Sequence, residues 1–142
     1  MLSKAETKEL LKNRMQNICS NVQSGFLDPK KVLDTNNKFP AIFFIEEENT
    51  SEQGDSRMFS FKMKLVCVVK DDLKYLDSLR DQFEDKVFNE LRKINKDGLQ
   101  HDIVDCDSSN LPSDHPFMAG IYSNYASFVV SLKLPFIRSD LN

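Results

Sequence analysis

The sequence has no tryptophan, and only four glycines, five prolines and three cysteines in 142 residues. So few glycines leave little material for a backbone cradle around phosphate. None of the patterns that build one is present: there is no GxxxxGK and no GxGxxG, and the GxSxG nucleophile elbow is missing too. Cys19, Cys67 and Cys106 are odd in number and far apart, with no CxxC pair, which argues against a disulfide framework and against a zinc knuckle. Cys19 and Cys67 fall inside apolar patterns and read as buried reduced thiols. No apolar run approaches the ~20 residues of a membrane-spanning helix. The opening MLSKAETKELLKNR has no apolar block behind its basic residues, so the expectation is a chain without a secretory leader. Together these features predict one soluble intracellular domain over residues 1–142.

Charge is modest in sum and uneven in place. The net charge is −3. Residues 39–55 hold Glu46, Glu47, Glu48, Glu52 and Asp55 with no lysine or arginine, whereas residues 1–38 and 56–100 carry a small basic excess. No segment has the concentrated basic footprint of a protein that grips nucleic acid by its phosphates.

The apolar pattern changes period along the chain. Ser3 and Glu6 have the spacing of a capping box. Behind them Leu11, Met15, Ile18 and Val22 recur at helical intervals, predicting a helix over about 4–23 that Gly25 ends. A connector over 25–38 leads to Phe39 and Pro40, then to the continuous apolar run Ala41–Ile45, which reads as a strand covered on both faces. Residues 46–56 read as a polar acidic loop. Phe59, Phe61, Met63, Leu65, Cys67 and Val69 then alternate with Ser60, Lys62, Lys64, Val66 and Val68, a long strand whose far half is apolar on both sides. Asp72 caps a second helix over about 72–95, with Leu76, Leu79, Phe83, Val87, Leu91 and Ile94 on one face and Gly98 beyond its end. Arg92, Lys93 and Lys96 crowd its last turns, where the helix dipole favours cations. A short strand centres on Ile103 and Val104. After a loop over 107–120, a last strand alternates Ala126, Phe128, Val130, Leu132 and Leu134 with Ser127, Val129, Ser131 and Lys133, and Pro135 is expected to end its pairing. The order α-β-β-α-β-β predicts an α+β fold: a mostly antiparallel four-stranded sheet with two long helices packed on one face.

The candidate chemical sites do not assemble. Asp105, Asp107 and Ser109 begin like a calcium loop, but that loop needs glycine at its sixth position and glutamate at its twelfth, where this sequence has Asn110 and Pro116. His101, Asp105, Cys106 and His115 match no ordinary metal spacing. Glu46, Glu47 and Glu48 are consecutive, so they alternate direction and read as a solvated acidic turn. The expectation is a protein that is no enzyme and takes no cofactor or metal.

The stretch FPAIFFIEEEN, the polar loop, the strand SFKMKLVCVVKDD, the helix LKYLDSLRDQFEDKVFNELRKI and the closing IYSNYASFVVSLKLPF together resemble the tail terminator proteins of long-tailed bacteriophages. The likeness lies in element order, lengths and pattern over about residues 4–136. It includes Phe39-Pro40-Ala41-Ile42 and the glutamates that follow that strand. The longer loop at 107–120 departs from the family. The resemblance implies an α+β subunit of a hexameric ring in the virion, at the head-proximal end of the tail, assembled in the host bacterial cytoplasm. That ring caps the completed tail tube, stops the tube protein from polymerising further and offers a joining surface to the head connector and neck proteins. DNA passes through it without sequence-specific binding, and no cofactor or membrane is involved. A ring subunit needs apolar or aromatic side chains beyond those its own core consumes. Phe117, Met118, Tyr122 and Tyr125 are candidates for that surface, and Glu46, Glu47, Glu48, Glu52 and Asp55 for the lumen or the tube-facing side. The competing readings are a head–tail joining or neck protein of related fold, and a small α+β ligand-binding or regulatory module.

Overall fold

The computed structural model describes residues 3–24, 38–46, 51–53, 55–96, 102–107 and 125–137. They form an α+β fold. In chain order the elements are α1 (Lys4–Met15), β1 (Asn21–Ser24), β2 (Ala41–Glu46), β3 (Ser51–Gln53), β4 (Asp55–Lys70), α2 (Leu73–Lys96), β5 (Asp102–Asp107) and β6 (Tyr125–Ile137).

The first helix starts where the sequence places it. Ser3 Oγ accepts from the Glu6 amide, and a Glu6 carboxylate oxygen accepts from the Ser3 amide, each at 3.2 Å. It ends earlier than its apolar spacing predicts. The Asn17 amide turns back onto the Arg14 carbonyl, and the amides of Ile18 and Cys19 both turn onto that of Met15, each at 3.1 Å. The next residues, Cys19-Ser20-Asn21-Val22, are poor helix formers. They enter β1, where Asn21 registers with Ala41 and its side-chain amide donates to the Lys38 carbonyl at 2.8 Å. Ile18 and Val22 still pack into the core, so the helical spacing persists beyond the helix itself. The predicted helix stop at Gly25 and nearly all of the 25–38 connector lie outside the described residues.

The sheet has six strands in the order β1-β2-β4-β6-β5, with β3 pairing β4 beyond the end of β2. The pairs β2–β4, β4–β6, β5–β6 and β3–β4 are antiparallel, but β1 runs parallel to β2. Two short strands, β1 and β3, therefore join the four expected ones, and the sheet is mixed. The long pair β4–β6 runs without a break from Met58 opposite Ile137 to Lys70 opposite Tyr125. Pro135 does not end it: it registers with Ser60. β5 reaches only as far as Lys133, so Pro135 lies where β6 has one described neighbour and a missing donor is tolerated.

Both helices lie on one face. Leu11 and Met15 of α1 and Leu76, Phe83, Val87, Leu91 and Ile94 of α2 are buried against Ile42, Phe44, Phe61, Met63, Leu65, Cys67, Phe128, Val130, Leu132 and Leu134. The rings of Phe83 and Phe128 meet edge to face at 6.0 Å and fix α2 over β6. The opposite face is apolar at one end. There Ala41, Phe43, Val66, Val68 and Val129 form a second cluster flanked by Phe39, Ile45 and Tyr125. This accounts for the apolar residues on both sides of β2 and of the second half of β4.

Candidate functional site

Glu46, the last residue of β2, is on the helix side of the sheet and meets α1 there. One carboxylate oxygen pairs with Lys4 and the other with Lys8. Both ammoniums also lie over aromatic rings: Lys4 is 5.2 Å from the Phe61 centroid and 5.6 Å from that of Phe136, and Lys8 is 6.0 Å from Phe61. The two rings pack edge to face at 5.6 Å. Burial pushes the Glu46 carboxyl up, but the hydrogen bonds and charges of the two lysines outweigh it and hold the group below the ordinary glutamate value. One carboxylate facing two ammoniums leaves a surplus positive charge. The arrangement clamps α1 to the sheet, so Glu46 is tied within its own chain rather than free in an acidic loop.

The other acidic candidates separate. Glu52 sits in β3 opposite Phe59, and Asp55 begins β4 opposite Gln53. Residues 51–53 and the start of β4 were expected to be loop and are strand. Glu47 and Glu48 lie outside the described residues, as do Phe117, Met118, Tyr122, His101 and His115.

Tyr125 opens β6 at the other end of the sheet. It is half-buried against the second cluster. Its ring meets Phe39 edge to face at 5.2 Å, and the Lys70 ammonium lies 5.3 Å from its centroid. Tyr125 thus packs on its own chain with part of its surface still open.

Two of the three cysteines are placed in the core. Cys19 and Cys67 are buried and unbridged. The Cys19 thiol donates to the carbonyls of Pro40 at 3.0 Å and Asn21 at 3.3 Å, joining the end of the α1 turn to the start of β2. Burial pushes that thiol above its ordinary value. Among the described residues no three His, Cys, Asp or Glu side chains gather where they would hold one metal ion, and no helix is long and apolar enough to cross a membrane.

Sequence reasoning missed the lysines. Lys62 and Lys64 on β4 and Lys133 on β6 are visible as the polar members of two alternating strands. Only the register shows that Lys62 stands directly opposite Lys133. Comparison of the chain with protein-family models finds no match, and comparison with curated proteins finds none either.

Proposed function

We propose that this chain is a virion structural protein: a ring-forming subunit that caps the completed tail tube, stops its polymerisation and provides the joining surface for the head connector. The observation that carries this reading is the succession of elements behind the sequence resemblance. An opening helix, a strand beginning just after Pro40, a long strand that runs almost directly into a long helix, and a closing long strand correspond to α1, β2, β4, α2 and β6. The architecture the reading calls on is an antiparallel core of β2, β4, β6 and β5 with both helices on one side. On this reading β1 and β3 are additions at its rim. The partners are further copies of the chain, the tube protein and the neck proteins, with DNA passing through the ring.

The test is addition of the purified chain to polymerising tube protein. A terminator caps tubes at a fixed length, binds one end only and appears there as a six-fold ring of 16.4 kDa subunits. Tubes of unaltered length, with the chain retained on the portal side, would replace this reading with that of a neck protein. A ligand-dependent rise in melting temperature without rings would favour the small binding module.

A further inference from the structure

The cluster on the sheet face away from the helices is better buried than the elements around it explain. Ala41, Phe43, Val66 and Val68 are 0% exposed and Val129 is 1% exposed. Ser127, opposite Val68, is buried beside them. Side chains on one face of a sheet stand roughly perpendicular to it, so neighbours on that face shield their flanks and leave their tips open. Both helices pack on the other face. Phe39, Ile45 and Tyr125, the described neighbours, are only partly buried at the edge of the cluster. The burial is complete in a single copy of the chain, so the covering layer belongs to the same chain.

The topology indicates which part of the chain that is. β4 and β5 are parallel, because each runs antiparallel to β6 between them, and α2 joins them across the helix face. β1 and β2 are parallel as well, and their connection steps across the sheet in the same direction. They point the opposite way, since β2 is antiparallel to β4. Connections between parallel strands of one sheet are right-handed in about 98% of cases. Two right-handed connections that step the same way from strands of opposite sense lie on opposite faces. With α2 on one face, the connection from β1 to β2 belongs on the other.

We propose that this connection, residues 25–37, lies over the second cluster, with Phe26, Leu27, Val32 and Leu33 supplying its apolar side. Its ends are in the right places. β1 finishes with Ser24 at the level of Phe44, and the chain returns through Lys38, Phe39 and Pro40 to Ala41. The path back therefore passes the levels of Phe43 and Ala41, whose partners on β4 are Val66 and Val68. The distance is roughly 20 Å, and a parallel crossover takes about a dozen residues or more, which residues 25–37 provide. The inference goes beyond the ring reading and does not draw on it. It removes this cluster from the surfaces on which a second copy or a tube subunit could dock.

A buried-thiol experiment on the full chain tests this. Val66→Cys, in a Cys106→Ser background, puts a thiol on the face of the cluster. Cys67, the next residue of β4, faces the helices and serves as the internal control. Both thiols are expected to resist a thiol-specific reagent. Adding V32D/L33D is expected to speed labelling at position 66 about tenfold while Cys67 stays slow. Unchanged protection at position 66 would overturn the proposal. So would protection that yields to F117D/M118D instead, which would assign the cover to the connection between β5 and β6. Protection lost on dilution would overturn it in favour of a second copy. If V32D/L33D exposes Cys67 too, or fails to fold, cross-linking of the wild-type chain with a short amine-reactive reagent decides. Lys62 and Lys70 are exposed on the face of the cluster, and Lys12 and Lys86 belong to the helices. Links within one chain from Lys30 or Lys31 to Lys62 or Lys70 support the proposal. Links to Lys12 or Lys86 alone, or none to the sheet face, overturn it.

Discussion

Lys8 of the first helix and Glu46 of β2, 38 residues apart in the chain, form an ion pair that Lys4 completes from one turn earlier. The Glu46 carboxyl titrates below its ordinary value in the folded protein. Its contribution is therefore complete above the value of the unfolded chain and is lost as pH falls through the lowered folded one. The side chain is one-third exposed, which limits the effect to about 1 kcal/mol. Glu46→Gln is expected to lower the melting temperature by about 2–5 °C at neutral pH. The gap from wild type should close as the pH is taken down to about 3. A gap that widens in acid would show that the clamp is not electrostatic.

The second cluster makes β2 and the centre of the sheet two-sided. Phe43 is fully buried on the face away from the helices, with Val66 as its cross-strand partner. Phe43→Ala is expected to cost about 3–5 kcal/mol, comparable with Phe128→Ala on the helix face. Urea unfolding of the two variants checks this. A cost under about 0.5 kcal/mol for Phe43 would mean that its face is open to water.

Glu90 on α2 is buried, and only one of its oxygens is satisfied. Oε1 accepts from Lys93 at 3.1 Å, while Oε2 is buried without a hydrogen bond. Lys93 itself is mostly exposed and keeps its hydration without the pair. Glu90→Met removes a costly desolvated group and adds apolar packing, so it is expected to raise stability by about 1 kcal/mol. The urea midpoint reports the change, and a clear loss of stability would show that Glu90 has a role its contacts do not reveal.

Cys19 and Cys67 are both buried, and burial disfavours the reactive thiolate of Cys19. In a Cys106→Ser background the folded protein is expected to resist a thiol-specific reagent. Two thiols per chain should react once denaturant is added. Prompt labelling of the folded protein would place one of these thiols at the surface.

Much of this architecture was legible in the sequence because burial imprints a period on it. The alternation from Phe59 to Val69, and again from Ala126 to Leu134, specified β4 and β6 and the face each turns to the helices. The spacing of Leu76, Phe83, Val87, Leu91 and Ile94 specified α2, and Ser3 with Glu6 specified the start of α1. The failures occurred where pairing leaves no such imprint. In β1 only Val22 is buried, and β3 has three polar residues joined to β4 through the backbone. Ile18 and Val22 kept a helical interval past Met15 because a turn and a strand delivered them to the same core.

The candidate site followed the same division. Sequence alone determined that charge is segregated, with carboxylates massed in 39–55 and lysines set on the polar positions of alternating strands, because a half-buried strand confines its charges to one side. Only the tertiary structure decided which charges meet. Register brought Lys62 against Lys133, and helix docking brought Lys4 and Lys8 onto Glu46. Contacts between charges distant in the chain depend on how strands slide past one another and how helices settle on them, and no local pattern records either.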